Sequence, residues 1–187
     1  MLTSEGDRRS NEFAVRRTFD CDAFFAALDG HRRSLDLDWN EAADELYEQS
    51  CDLNARLMDH AICPGAVVRV CERGTISCQY ALFMLRWMGR APENFVSGPA
   101  VDVGDVRLPA AGPGCRLRWD LHQLYTELDH QRVALGLTWV RLAQTLGCTP
   151  SRLTNLRTAR LADMDLTMRI VQSLGRPAAA FIHPADW

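Results

Sequence analysis

Apolar residues recur at three- and four-residue spacings along most of the chain, which is the pattern of helices that bury one face. In the second half, residues that favour helix starts precede these stripes: Asp120, Thr138 and Thr149, the last followed by Pro150 at the first helical position. Gly147 is suited to a sharp turn between two of them. Four helices are predicted here, at about 120–135, 139–146, 150–158 and 165–174.

The same pattern occurs twice. A shift of 100 positions places residues 19–46 on residues 119–146, and beyond that point the matching shift falls to 86, so the first copy carries 14 extra residues. Identical pairs include Asp20 with Asp120, Arg32 with Arg132, Pro64 with Pro150 and Gly89 with Gly175. Two copies of one small helical unit predict an all-α fold with a repeated architecture.

The repeat also predicts the division of the chain. We expect a loose N-terminal arm at 1–18, a first copy at 19–97, a linker rich in glycine and proline at 98–118, and a second copy at 119–187. Each copy is near the lower size limit for an independent core, so the copies are expected to pack together.

Charge separates the two halves. The net charge is −3, but residues 1–114 hold 12 arginines against 18 acidic residues, whereas residues 115–187 hold 9 arginines against 6. The chain has no lysine, so every fixed side-chain cation is a guanidinium, which suits phosphate groups and guanine edges.

Several function classes are excluded by what the sequence lacks. No apolar run has the ~20 residues of a membrane span, and the N-terminus lacks a secretion signal, so we expect a cytoplasmic protein without membrane partners.

Seven cysteines without a CxxC pair suit buried thiols in a reducing compartment. His60, Cys63, Cys71 and Cys78 match no zinc spacing, so neither a metal nor a cofactor is expected. No catalytic motif is found, and the protein is not expected to be an enzyme.

The segment TWVRLAQTLGCTPSRLTNLRTAR, followed by DLTMRIVQSLG, resembles the helix-turn-helix of the lambda-repressor-like, or XRE, family. The resemblance rests on Thr138 opening the second helix, Leu142 and Ala143 inside it, Gly147 in the turn, and the apolar pair at positions 153 and 156 of the third helix. It covers nearly all of residues 119–182, and Ala159 departs from the glycine common after the third helix. It implies two lambda-repressor-like bundles in tandem, the first degenerate and carrying the 14-residue insertion.

In this family the third helix enters the major groove of DNA. The resemblance therefore implies that the helix at about 150–158 reads bases through Ser151, Arg152 and Asn155. Thr138, Thr149, Thr154, Arg157 and Arg160 are placed to contact phosphates. Trp139 is expected to pack within the fold rather than stack on a base, because Trp39 occupies the same place in the first copy.

The first copy is not expected to bind DNA in the same way. Asn40, Glu41, Asp44, Glu45 and Glu48 make the exposed face of its second helix acidic, which repels phosphates. The extra residues lengthen that helix or add another beside it, and the counterpart of the reading helix, at 64–71, has few groups that could read bases. The apolar helix at 80–88 is expected between the copies, at a subunit interface, or around a small-molecule pocket.

These features predict a sequence-specific regulator of transcription that binds duplex DNA through its second copy. The first copy would serve association or regulation, through a homodimer or a protein partner at residues 19–97; the two copies could instead form a pseudo-dimer. The competing prediction is a protein-interaction module, such as an antitoxin or adaptor, that keeps the fold without binding DNA. The overall acidity favours this alternative.

Overall fold

A computed structural model describes residues 17–57, 74–98, 101–104 and 106–186. Residues 1–16 of the predicted arm at 1–18, the predicted reading-helix counterpart at 64–71, and His60, Cys63 and Cys71 lie outside the described residues. In the first copy, the described helices are α1 (Cys21–Ser34), α2 (Trp39–Glu48), α3 (Cys51–Asn54) and α4 (Cys78–Met88), followed by a 3-10 turn at Pro92–Phe95. The short helix α3 lies within the insertion, so the added residues form a new helix after α2 ends.

The second copy begins with a strand, β1 (Arg116–Trp119). Its helices are α5 (Leu121–Ala134), α6 (Trp139–Leu146), α7 (Pro150–Thr154) and α8 (Met164–Leu174). It ends with a 3-10 turn at Ala178–Phe181 and the strand β2 (Ile182–Ala185). Two of the predicted caps are formed, since the side chains of Asp120 and Thr138 each accept a hydrogen bond from the first helical turn. The helix α8 is capped by Asp163, just before its predicted start at about 165.

The chain is mostly helical, but the prediction of an all-α fold missed a small sheet. The strands β1 and β2 pair antiparallel, with Arg118 opposite His183 and Trp119 opposite Ile182. Each strand has four residues, too few for a clear alternation of apolar and polar positions, and the two strands are far apart in the sequence. In the first copy the same pairing is reduced to a single bridge between Phe19 and Val96.

One local unit is the same in both copies. Arg32 at the end of α1 forms an ion pair with Asp29 at 2.6 Å, and its guanidinium lies 4.8 Å from the centre of the Trp39 ring. Arg32 also donates a hydrogen bond to the Leu37 carbonyl, so its side chain holds the turn between α1 and α2. The second copy repeats this unit at Asp129, Arg132, Leu137 and Trp139, with the ion pair at 2.7 Å and the ring at 4.8 Å.

The copies meet through reciprocal backbone hydrogen bonds at the starts of α4 and α8. The Cys78 N–H donates to the Ala162 carbonyl at 2.8 Å, and the Met164 N–H donates to the Ile76 carbonyl at 2.9 Å. These donors and acceptors exchange places under the shift of 86 positions. The two helix starts are therefore related as the two halves of a symmetric interface would be.

The core runs continuously through both copies. Its central element is α4, which packs against α1 and α2 of its own copy and against β1 and α8 of the second. Most of α4 is buried, including Ala81, Leu82, Met84 and Leu85. The apolar helix therefore lies between the copies, which is one of the three placements that the sequence predicts.

The segment that joins the copies is anchored at both ends. Arg86 of α4 donates to the carbonyls of Ala111 at 2.7 Å and Cys115 at 3.1 Å, and to the Gln49 carbonyl at 2.7 Å. At the other end, the Val101 N–H donates to Oε1 of Gln172 at 3.1 Å. Gln172 is the counterpart of Arg86 under the shift of 86 positions, so equivalent places in the two copies hold the two ends of the linker.

Candidate nucleic-acid interface

The helices α6 and α7 form a compact pair because their apolar residues face the core. Leu142, Ala143 and Leu146 of α6 are buried, as are Leu153 and Leu156 in and after α7. Gly147 follows α6 with φ of +64°, a left-handed conformation that glycine adopts without strain. The chain thereby turns sharply into α7, whose polar residues face outward.

An arginine that sequence reasoning missed holds this turn. Arg169 of α8 donates through Nη1 to the carbonyl of Leu146 and, at 3.2 Å, to that of Gly147. Its Nη2 lies 2.7 Å from Asp165, which also accepts the Phe19 N–H at 3.0 Å. The turn is thus connected through two side chains to the first copy. The sequence pattern predicts only that residue 169 belongs to a helix. It gives no signal for a contact with a turn 22 residues earlier in the chain.

The three predicted base-reading residues, Ser151, Arg152 and Asn155, lie together and are exposed. The prediction of one continuous α-helix at about 150–158 is wrong in this respect. The helix α7 ends at Thr154, and the chain continues as a 3-10 turn at Asn155–Arg157. In a 3-10 turn, residues three apart lie on the same side. Leu153 and Leu156 are three apart and are both buried, as they would also be in a continuous α-helix.

Arg152 has an acidic neighbour on α8. Its Nη2 lies 3.8 Å from Oδ1 of Asp163, and 46% of the Arg152 side chain is exposed. Asp163 also caps α8 by accepting the Leu166 N–H at 3.1 Å. The exposed side of the Arg152 guanidinium still has N–H donors available for a ligand. The Asp163 carboxylate, however, lies close to the surface that would face a DNA phosphate.

Most predicted phosphate contacts are exposed, namely Thr138, Thr149, Arg157 and Arg160. Thr154 is half-buried, and its hydroxyl lies within hydrogen-bond distance of the Pro150 carbonyl at 3.3 Å. The expected side-chain cap by Thr149 is not formed; its Oγ1 lies 3.1 Å from Oγ of Ser151 instead. Thr154 is therefore the least available of the five.

The stretch of sequence that contains α6 and α7 carries side-chain charge of one sign. Residues 130–162 contain five arginines and no acidic residue. Arg141 and Arg152 on the two helices, and Arg157 and Arg160 just after them, are all exposed. The face is consequently cationic except beside Arg152, where the Asp163 carboxylate lies 3.8 Å away, and a positive surface of this kind attracts the phosphates of a duplex.

The corresponding helix of the first copy, α2, has the opposite charge. Glu41, Asp44, Glu45 and Glu48 are exposed there. The Asp38 side chain caps α2, and the backbone N–H groups of Glu41 and Asn40 lower the pKa of its carboxyl. The acidic face predicted from the sequence is thus present on the folded surface.

Trp139 packs against side chains of its own copy, as predicted. Its ring is stacked on Tyr125, with ring centres 5.5 Å apart and planes 11° from parallel. Arg132 covers it at 4.8 Å. Both contacts keep the indole in the fold.

The described cysteines are free thiols, and burial disfavours the ionised form of Cys78 and Cys148. Cys21, Cys51, Cys78, Cys115 and Cys148 are free thiols. Burial raises the pKa of Cys78 to about 11 and that of Cys148 above its ordinary value, so both remain protonated at neutral pH. Among the described residues, no group of three or more histidine, cysteine or acidic side chains is arranged to hold a metal ion.

In the described ranges, no helix combines the length and apolar character needed to cross a membrane. No protein-family model matches the chain, and neither a curated protein nor a solved structure matches it.

Proposed function

We propose that the chain is a tandem helix-turn-helix regulator that binds duplex DNA through α6 and α7 of its second copy. The observation that carries the proposal is the exposed cationic face on a compact helix pair, with no acidic residue between positions 130 and 162. A helix pair that binds in the major groove needs an apolar side buried in the protein and a polar side exposed to the DNA, and α6 and α7 have both.

Within this proposal the exposed side chains have distinct roles. Arg152 pairs with guanine and Asn155 with adenine, each through two hydrogen bonds, and Ser151 contacts a neighbouring base. Arg157 and Arg160 contact phosphates together with Thr138 and Thr149, which sets the register of the helix on the duplex. Thr154 contributes less, because its hydroxyl lies against the backbone of its own helix.

The first copy serves association within the chain. The reciprocal hydrogen bonds of Cys78 and Met164 relate the copies as a symmetric dimer interface relates two subunits. Of the parts of the two copies that the structure describes, the second alone has a cationic face, and the proposed pseudo-dimer therefore reads one asymmetric site. This favours a single DNA-reading surface per chain.

A second candidate is a protein-interaction module in which the acidic face of α2 binds a basic partner. Its support is the exposed row of Glu41, Asp44, Glu45 and Glu48. In that case the cationic face of the second copy would not be required for function.

The deciding experiment is selection of duplex DNA from a random library with the full-length protein, because the core is shared between the copies. We expect enrichment of one asymmetric motif. Arg152→Ala should weaken binding to that motif by ~1 to 3 kcal/mol while leaving stability nearly unchanged. Arg33→Ala, which removes an exposed arginine of α1, is the matched control and should leave the affinity unchanged.

The outcome separates the two candidates. Absence of enrichment at low salt, or equal effects of Arg152→Ala and Arg33→Ala, would contradict DNA reading by α7. A motif with two-fold symmetry would contradict the pseudo-dimer and indicate two chains on one site.

A further inference from the structure

The two copies carry opposite charges at equivalent places. The shift of 100 positions pairs the exposed positions 40, 41, 44 and 45 of α2 with the exposed positions 140, 141, 144 and 145 of α6. It places Glu41 where the second copy has Arg141. Residues 34–55, which contain α2, hold seven acidic residues and no basic one, whereas residues 130–162 hold five arginines and no acidic residue.

The exposed charges form two faces, each of one sign. The acidic face consists of the exposed carboxylates of α2, namely Glu41, Asp44, Glu45 and Glu48. The cationic face consists of the exposed arginines on and after α6 and α7, namely Arg141, Arg152, Arg157 and Arg160. The repeat therefore provides one protein with two complementary surfaces.

Neither face is neutralised by the chain itself. Among the described residues, no ion pair involves the four carboxylates of the acidic face, and on the cationic face Arg152 alone has one, with Asp163 at 3.8 Å. Charged side chains elsewhere in both copies do form pairs, as Arg176 does with Glu127 at 3.1 Å. The charges of the two faces are thus left for a partner.

Exposed aliphatic side chains lie next to both faces. Val133 and Leu135, each 61% exposed, precede α6, and Val140, 54% exposed, lies beside Arg141 near the start of that helix. Leu35, the counterpart of Leu135, is 46% exposed and precedes α2. Aliphatic surface bordered by charged groups is typical of contacts between proteins. This second observation favours a protein as the partner of each face.

From this arrangement we infer that the chain associates with a second copy of itself, with the acidic face of one chain bound to the cationic face of the other. The second chain supplies guanidinium groups for the carboxylates and aliphatic side chains for Leu35. Complementary charges of this kind set the register of an interface and speed its formation. The net charge of −3 leaves little overall repulsion between two chains.

The inference deepens the second candidate function, because it names the basic partner of the acidic face, and it does not require DNA binding. If the chain does bind DNA, self-association competes with it. Arg157 and Arg160 are proposed phosphate contacts, and the carboxylates of a second chain would occupy the place of the phosphates. The expected effect is weaker DNA binding where self-association is favoured.

Sedimentation velocity of the full-length protein without DNA tests the association. Exposed charges act over about 30 Å at 0.01 M salt and over about 3 Å at 1 M salt. We therefore expect a sedimentation coefficient that rises with protein concentration at the lower salt and that of a single chain at the higher. A single chain under both conditions, or equal association under both, overturns the inference.

Charge reversal on each face locates the interface. Asp44→Arg/Glu48→Arg reverses part of the acidic face and leaves the capping box of α2, formed by Asp38 and Glu41, intact. Arg141→Glu/Arg157→Glu reverses part of the cationic face. Each double variant should weaken self-association roughly tenfold, because exposed ion pairs become contacts between like charges.

A mixture of the two double variants distinguishes a lost interface from a lost fold, once urea unfolding shows that each variant is folded. One variant has two cationic faces and the other has two acidic faces, so the mixture should associate at least as tightly as the wild type. The matched control, Asp102→Arg/Asp186→Arg, makes the same change in net charge at exposed acids outside α2. No association in the mixture, or equal weakening by the control, overturns the inference.

Competition with DNA is measured separately, with the selected motif at low salt. Arg141→Glu/Arg157→Glu keeps the acidic face, so adding it should release the wild-type protein from DNA. Adding Asp44→Asn/Glu48→Gln to that variant neutralises part of the acidic face and should abolish the release. Equal release by both would contradict binding of the acidic face at the DNA-reading surface. The sedimentation measurements decide self-association even if the proposed DNA binding fails.

Discussion

Arg152, the central residue of the candidate reading element, places Nη2 3.8 Å from Oδ1 of Asp163. Asp163 lies at the junction of the copies. Its backbone forms an antiparallel β-bridge with that of Ser77, and its side chain caps α8. The guanidinium proposed to read a base is thus adjacent to a carboxylate that belongs to the inter-copy contact. DNA has to compete with this carboxylate, which gives the first prediction.

We expect Asp163→Asn to bind the selected DNA more tightly, by about 0.5 to 1 kcal/mol, or two- to fivefold. The variant removes a negative charge near the phosphates and frees Arg152 from an exposed ion pair, whose contribution is of this size. Asparagine is also a good N-cap, so the stability should change little. Titration of labelled DNA at low salt measures the gain. Asp186→Asn, which removes an exposed acid beyond β2, should give no such gain.

The salt dependence of binding should report the two arginines that follow α7. Each phosphate contact that is removed lowers the slope of log K against log[salt] by ~0.9. Arg157→Ala and Arg160→Ala are each expected to reduce the slope by about one unit and to weaken all sequences alike. Titrations between 50 and 200 mM salt, a range of about fourfold, measure this. An unchanged slope in both variants would remove them from the interface.

Removal of the arginine that holds the turn should destabilise the protein. Arg169→Met leaves the carbonyls of Leu146 and Gly147 without their donor and Asp165 without its cation, at an expected cost of about 2 kcal/mol. Urea unfolding measures the loss. Arg176→Met, just after the same helix, breaks a surface pair with Glu127 at 3.1 Å and should cost less than about 1 kcal/mol. Equal costs would show that the turn contact has no special role.

The buried carboxyl of Glu93 should make stability depend on pH. Its Oε1 accepts the Ala178 N–H of the second copy at 2.6 Å, while Oε2 is buried and has no hydrogen-bond partner among the described residues. Burial raises the pKa of Glu93 above its ordinary value. The folded state therefore binds this proton more tightly than the unfolded chain does.

The sign follows from that difference. The stability linked to the Glu93 proton is fully present below the ordinary pKa of ~4.3 and is lost as the pH rises through the higher pKa of the folded state. Glu93→Gln keeps an oxygen for the Ala178 N–H and carries no charge, so it should be more stable than the wild type at pH 7. The advantage should disappear at about pH 4. Urea unfolding of both proteins at the two pH values tests this, and a difference independent of pH would contradict it.

Much of the local structure was predictable because its signals are short-range. The caps at Asp120 and Thr138 and the exit at Gly147 depend on residues a few positions away, and the helices begin and end close to the predicted places. The exposed positions of Ser151, Arg152 and Asn155 follow from the same periodicity. Their division between an α-helix and a 3-10 turn was not predictable from the spacing, because positions three apart lie on the same side in both conformations.

By itself, the sequence determined the repeat, the helices with their buried and exposed faces, and the opposite charges of the two copies. These depend on side-chain type and on spacing along the chain. The tertiary structure alone decided how β1 pairs with β2, which carbonyls Arg86 and Arg169 reach, and that Arg152 meets Asp163. Such contacts join residues that are distant in sequence, and they form only when burial of the shared core brings the elements together.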